Sequence, residues 1–244
     1  MTKSLRQLYA LLALVLFAGC STPIPDGTTG PRADQLARQM MQSANADAWE
    51  RTGAVTWTFA DRNNHLWDRK REMARVRMDE TEVYVDLRSK DGIAFEEGTR
   101  LKGEAHDEAV QDAYAAWAND SFWLTAMLKP FYPGTTRYVV ETEDGSEALL
   151  VKYGSGGVTP GDAYLWHFDD KGRPVSWDMW VSIIPIGGAS ASWDKWEELA
   201  TGAVVSTSHD LGPLTTEITD LGAAATLSEL VDGPDPFAEL AEQR

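Results

Sequence analysis

Apolar side chains recur at every second position along most of the chain beyond Gly53. The alternation is clearest in three segments, Val55–Phe59, Val83–Leu87 and Val175–Val181. Successive side chains of a β-strand point to opposite faces, so this period predicts strands that bury one face and expose the other. A chain with this pattern is expected to fold around antiparallel sheets rather than around a helical bundle.

Turn signals divide the alternating region into about ten strands. Asn63-Asn64, Lys90–Gly92 and Asp169–Arg173 predict tight turns between neighbouring strands. Helical spacing predicts a helix within 33–50 and a helical insertion at 104–127. The predicted fold is therefore mainly β with α (α+β). It is a large curled antiparallel sheet or unclosed half-barrel with an N-terminal helix and a central helical insertion.

Composition shifts along the chain predict four segments. Residues 1–19 form a signal peptide, and 20–32 form a lipidated N-terminus and flexible tether rich in proline and glycine. Residues 33–221 form a single half-barrel domain, and 222–244 form an acidic C-terminal tail that is loose or includes a short helix.

The N-terminus has the three-part layout of a secretory signal. Lys3 and Arg6 precede an apolar run at 8–17, and the small residues Ala18 and Gly19 follow it. The run is too short to cross a hydrocarbon layer of ~30 Å, which needs about 20 residues. The chain is therefore expected to be exported and cleaved.

Cys20 is the one cysteine of the sequence, and it directly follows this signal. Phe-Ala-Gly-Cys resembles the lipobox of bacterial lipoproteins, except that leucine stands one place early, at Leu16. That resemblance implies acylation of Cys20, with palmitate as a typical chain, and Ser21 at the second mature position implies sorting to the outer membrane, facing the periplasm. The alternative is an ordinary secreted protein with a free thiol. In either case no intrachain disulfide can form, so the fold depends on its core.

The chain is strongly acidic, with 38 aspartates and glutamates against 22 lysines and arginines. Loss of Lys3 and Arg6 with the signal would change the net charge from −16 to −18. Such a surface repels nucleic acid, so nucleic acid is excluded as a partner. The expected partners are the membrane, through the lipid anchor, a lipid or apolar ligand, and a periplasmic protein.

Motifs for metal, phosphate and nucleophile sites do not occur at their usual spacings. The histidines at 65, 106, 167 and 209 are not spaced as metal ligands. The glycine-rich segment at 154–161 has neither the Gly-Lys-Ser/Thr ending of a phosphate loop nor the spacing of a nucleophile elbow. The sequence therefore predicts no cofactor, no metal and no enzymatic activity, with a hydrolase of unrecognised site as an alternative.

Aromatic residues are the most conspicuous chemical feature, and the sequence has ten tryptophans. Eight aromatic residues on predicted strands and on the central helix are candidate ligand-binding residues: Trp57, Phe59, Trp67, Trp117, Phe122, Trp123, Trp166 and Trp177. Aromatic side chains concentrate in cores and in ligand-facing walls. Two interpretations stay open here, a filled core and an apolar cavity between the sheet and its helix.

The order of these parts resembles the Lol lipoprotein-carrier superfamily over roughly Ala33 to Leu221. The resemblance implies an unclosed β-barrel capped by helices, whose concave face holds acyl chains or senses lipoproteins. More narrowly, Trp117–Leu124, Lys129–Gly134, Ser155–Gly161 and Gly172–Pro174 look like segments of uncharacterised bacterial lipoproteins of this shape.

Three functions follow as hypotheses. The first is a lipoprotein anchored in the outer membrane that binds a lipid or other apolar ligand in the concave face of the half-barrel. The second is a scaffold or interaction module with a filled core. The third is a hydrolase. An open apolar cavity of about 300 Å³ or more would favour the first.

Overall fold

A computed structural model describes residues 21–154, 161–184 and 186–244. The predicted signal peptide, Cys20 and most of the glycine-rich segment 154–161 lie outside these ranges. Fourteen strands are described: β1 (Ala54–Phe59), β2 (Asn63–Asp68), β3 (Met73–Met78), β4 (Thr81–Asp86), β5 (Gly92–Glu96), β6 (Thr99–Arg100), β7 (Thr135–Glu141), β8 (Glu147–Tyr153), β9 (Ala163–Phe168), β10 (Pro174–Trp180), β11 (Ala189–Ser192), β12 (Asp194–Glu198), β13 (Val204–Leu211) and β14 (Leu214–Ala224).

The strands form two antiparallel sheets, and neither sheet closes within the described residues. The larger has nine strands in the order β12-β13-β14-β1-β2-β3-β4-β5-β6, and the smaller has five in the order β11-β10-β9-β8-β7. Helices occur where the pattern predicts them, N-terminally at Pro31–Ser43 and Ala46–Arg51, and centrally at Glu104–Thr125. The predicted class, mainly β with an N-terminal and a central helix, is confirmed.

Turn positions explain why there are more strands than the ten predicted. The sequence analysis places no turn signal within 65–78, which would be one long strand, but this stretch forms two strands because the chain reverses at 69–72, where Glu72 has a φ of 54°. The first turn lies at Ala60 and Asp61, which have φ values of 53° and 51°, and not at Asn63-Asn64. Asn63 already pairs with Phe59 in the ladder.

By its contacts the chain divides into two compact units. Of the described residues, one unit takes in those of 21–43, 127–194 and 209–215, and the other takes in Ala44–Ala126, Lys195–Ser208 and Thr216–Arg244. The predicted single domain at 33–221 stays a prediction, because compact units are not the same as independently folding domains.

The first unit contains the five-stranded sheet. The N-terminal helix Pro31–Ser43 lies against β7 and β8. One sheet face buries Val140, Leu150 and Leu165. The stretch predicted as a tether begins with defined contacts in this unit, since Thr22 N–H donates to Gly187 O at 3.0 Å and Thr28 pairs with Val139.

The second unit has apolar layers on both faces of its sheet. On one face the central helix covers Val76, Val83 and Val85 through Val110 and Ala113. The opposite face, which we call the tail-covered face, buries side chains that alternate with these. It packs Leu66, Met73 and Ile93 against Phe237 and Leu240.

The C-terminal stretch predicted as a tail therefore belongs to this core. Two short helices, Leu227–Leu230 and Ala238–Ala241, follow β14, and Phe237 is fully buried. Arg71 holds the segment by two hydrogen bonds to Asp235, of 2.6 and 2.8 Å. Among the described residues, no helix is long and apolar enough to cross a membrane.

Candidate functional site

The eight predicted ligand-binding residues are divided between the two units. Trp166 and Trp177 belong to the first unit, and the other six belong to the second. Trp57, Trp166 and Trp177 have no exposed surface, whereas Phe59, Trp67, Trp117, Phe122 and Trp123 are partly exposed. The structure therefore does not gather all eight residues into one wall.

In the first unit, aromatic rings pack directly on one another. The ring centres of Trp166, Trp177 and Trp193 are 4.8 to 5.0 Å apart, and all three side chains are buried. The ring centre of Tyr164 lies 4.5 Å from that of Trp177. Contacts this close are those of a filled core, in which aromatic pairs stabilise the fold beyond their buried area.

In the second unit, a row of aromatic rings joins the sheet to the central helix. Trp67 of β2 meets Trp117 of the helix edge-on, with ring centres 5.3 Å apart. The row continues at both ends: the ring centre of Trp49 is 6.1 Å from that of Trp67, and the ring centre of Tyr114 is 6.0 Å from that of Trp117. The Arg69 guanidinium is stacked over Trp49 at 4.2 Å. Because Trp67 and Trp117 keep some exposure, this row is accessible from solvent.

A buried polar pair lies on the same sheet face. His65 Nε2 is 2.7 Å from Asp120 Oδ2, with both side chains at most 2% exposed. Asn63 Nδ2 donates to the same oxygen at 2.8 Å. The imidazole is stacked on Trp57 with ring centres 4.5 Å apart. The pair ties β2 to the central helix through charge-assisted hydrogen bonds.

Four buried polar atoms of this face have no hydrogen-bond partner among the described residues. They are the indole nitrogens of Trp57, Trp67 and Trp117, and Nδ1 of His65. An indole nitrogen is a donor only, and burying one unpaired donor costs about 1–3 kcal/mol. This face, which we call the indole face, thus combines apolar rings with unused hydrogen-bond donors.

The other histidines have separate roles. His167 Nε2 pairs with Asp178 at 2.8 Å, and His106 with Asp107 at 2.9 Å. Hydrogen bonds from the imidazole to the Asp107 carboxylate and to the Gly92 carbonyl raise the pKa of His106. Burial lowers the pKa of His209 to about 4. In the parts of the chain that the structure describes, no three metal-binding side chains come together.

Sequence reasoning missed a cleft of about 510 Å³ on the tail-covered face of the second unit. Tyr84, Ile93 and Phe95 of the sheet form its floor, and Pro236 and Leu240 of the C-terminal segment form one wall. The signal in the sequence was the pair Phe237 and Leu240, two apolar residues at helical spacing in an otherwise acidic tail.

Charged groups lie inside this cleft as well. Glu82 forms an ion pair with Arg77 and accepts a hydrogen bond from the Tyr84 hydroxyl at 2.5 Å. Burial raises the pKa of Tyr84 to about 12, and the bond to Glu82 adds to that shift. Burial alone would raise the pKa of Glu82, but the bonds from Tyr84 and Arg77 outweigh burial and lower it. Glu82 therefore stays ionised in the cleft.

Comparisons with known proteins identify no family. No family model and no curated protein matches this sequence. Among solved structures, the chain is similar to a DUF1329 family protein from Desulfovibrio piger. The two are 9% identical, the similarity covers 88% of this chain and 100% of that one, and the TM-score is 0.42. A likeness of this size carries no argument about family or activity.

Proposed function

We propose that this protein is a lipid-anchored binding protein of the bacterial cell envelope that holds a lipid or similar apolar ligand on the indole face. One observation carries the proposal. The buried indole nitrogens of Trp57, Trp67 and Trp117 have no hydrogen-bond partner among the described residues, although they lie on one sheet face beside the central helix. Unused donors among apolar rings suit a ligand with an apolar body and an oxygen acceptor.

The accessible part of the indole face is the row of Trp67 and Trp117. Both rings are partly exposed, whereas Trp57 is fully covered. A ligand would therefore contact the exposed parts of Trp67 and Trp117 first. Because the indole nitrogens are buried, one of these rings would have to turn before a ligand oxygen accepts a hydrogen bond from its N–H group. Phe122 and Trp123 lie further along the same helix and are also partly exposed.

The sequence supports the cellular part of this proposal. The signal-like first nineteen residues and Cys20 favour export and acylation. Anchored by acyl chains in the outer membrane, the domain would face the periplasm and lie close to membrane lipids. The resemblance to Lol-type carriers supports the same interpretation, since those proteins hold acyl chains against a curved sheet.

Probe binding to tryptophan variants tests the proposal. Dansyl-undecanoic acid, a fluorescent fatty acid, should bind the parent protein, and Trp117→Phe should weaken binding about five- to ten-fold by removing one hydrogen bond and keeping an aromatic ring. Trp67→Phe should act in the same direction. Trp196→Phe, on the edge strand β12, is the matched control and should bind as the parent does. A parent that binds no probe, or a Trp117→Phe protein that binds it equally, contradicts the proposal.

A second candidate function rests on the aromatic cluster of the first unit. Trp166, Trp177 and Trp193 fill that core by direct contact, as expected for a scaffold or interaction module. In that case the protein would bind no fatty-acid probe, and Trp177→Ala would cost about 3–5 kcal/mol of stability. The probe measurement on the parent protein therefore separates the two functions.

A further inference from the structure

The cleft on the tail-covered face lies on the opposite side of the sheet from the indole face. Its floor and wall are formed by side chains from three parts of the chain, β4, β5 and the C-terminal segment. The ring of Tyr84 meets Phe95 edge-on at 6.4 Å and Phe237 edge-on at 6.0 Å. The cleft volume of about 510 Å³ falls within the range of small-molecule sites.

One end of the cleft is bordered by two neighbouring acidic turns. Glu97 N–H donates to the Glu80 carbonyl at 3.0 Å, and Thr81 pairs with Glu96 in the ladder. Two exposed carboxylates, Asp79 and Glu80, line this end, which we call the acidic lip, and neither forms an ion pair with a described residue.

Three arginines lie near the cleft. Arg75, the ladder partner of Tyr84, is partly buried and donates to Asn64 Oδ1 at 3.2 Å. Arg77 is paired with Glu82 inside the cleft, and Arg100 is paired with Glu239 of the C-terminal segment. Both guanidinium groups are thus already engaged with other carboxylates. The uncompensated charge at the acidic lip is negative, as is the charge of the whole chain.

We propose that this cleft is a second binding site, separate from the indole face, for a small amphipathic organic cation. The apolar body would lie on Ile93, Phe95 and Leu240, and its ammonium group would face the acidic lip. An anionic ligand of equal shape would be repelled by the lip.

A pair of ligands with matched shape and opposite charge tests this assignment. Calorimetric titration at low salt should show phenylethylammonium binding to the parent protein, with phenylpropanoate at least about ten-fold weaker. Raising the salt concentration should weaken the binding of the amine, because charges at an exposed lip are screened. Equal binding of the acid, or no binding of the amine at millimolar concentration, overturns the proposal.

Charge variants then locate the site. The double variant Asp79→Asn/Glu80→Gln should weaken amine binding about three-fold or more, since the substitutions are exposed and remove only charge. Glu141→Gln/Glu143→Gln makes the same charge change on exposed residues of the first unit and should stay within about two-fold of the parent. An equal loss in both double variants would mean attraction by the overall charge and would overturn the assignment. Trp117→Phe should leave amine binding unchanged, so this site and the proposed lipid site can fail independently.

Discussion

Asp120 of the central helix and His65 of β2 form a buried pair with a nitrogen-to-oxygen distance of 2.7 Å. The two residues are 55 positions apart in the sequence, and their contact fixes the rotation of the helix over the nine-stranded sheet. With this rotation Trp117, three residues before Asp120, meets Trp67, two residues beyond His65. The polar pair thereby positions the aromatic row of the proposed lipid site.

Loss of the Asp120 carboxylate should destabilise the protein. Asp120→Ala leaves the buried His65 Nε2 without its partner, at about 1–3 kcal/mol, and also removes the acceptor of the partly buried Asn63 amide. Asp120→Asn keeps one oxygen acceptor and should cost less. Denaturant unfolding measures both effects. Glu108→Ala, an exposed change on the same helix, is the control, and an Asp120→Ala midpoint equal to that of the control would refute the structural role of the pair.

Removal of the Phe237 ring should show that the C-terminal segment belongs to the core. The side chain is fully buried against Leu66, Met73 and Ile93, so Phe237→Ala should cost about 3–5 kcal/mol. Phe131→Ala is the control, because it removes a phenyl ring from a side chain that is 38% exposed. There the main loss is a cation–π contact with Arg137, worth about 0.5–1 kcal/mol. Thermal unfolding compares the two, and equal shifts in Tm would show that the segment is loosely held.

His209 should make the protein less stable in mild acid. Burial lowers the pKa of His209 from 6.5 to about 4. Between these values the unfolded chain binds a proton and the folded chain does not. The stability contribution of the neutral ring is therefore complete above pH 6.5 and is lost as the pH falls to about 4, a change of about 3 kcal/mol.

Substitution of His209 should flatten this part of the stability curve. His209→Phe keeps a ring beside Trp193, 4.6 Å away in the parent, and cannot titrate. His106→Gln is the control, because Asp107 raises the pKa of His106, so its contribution has the opposite sign and is lost as the pH rises. Urea unfolding at several pH values between 4 and 7 measures the slopes. An unchanged slope in His209→Phe would show that other groups cause the acid sensitivity.

Replacement of Cys20 should abolish acylation. Cys20→Ser removes the one thiol of the sequence and with it the lipid acceptor. Metabolic labelling with a palmitate analogue, followed by fractionation of the envelope, measures the result. Ser21→Asp tests sorting separately, since it keeps the thiol and alters only the second mature position. Equal labelling of Cys20→Ser and parent would rule out the lipoprotein assignment.

The sequence by itself indicated the predominance of strands and the places of the N-terminal and central helices. Alternation depends only on residues two positions apart, so Val83 and Val85 revealed the buried face of β4 without any knowledge of its neighbours. Helical spacing likewise predicted the central helix, which the structure has at Glu104–Thr125. The predictions of export and acylation rest on sequence alone, since Cys20 lies outside the described residues.

The tertiary structure alone decided which distant residues meet. Asn63-Asn64 carried the local preference for a turn, yet pairing of Asn63 with Phe59 moved the turn to Ala60 and Asp61 and placed His65 on the buried face. Contacts such as His65 with Asp120 depend on strand register and on how the helix packs on the sheet. The cleft likewise exists because Phe237 packs against apolar side chains on the opposite face of the sheet and holds the C-terminal segment there. Local periodicity encodes neither relationship, because both arise from the burial of side chains that are far apart in the chain.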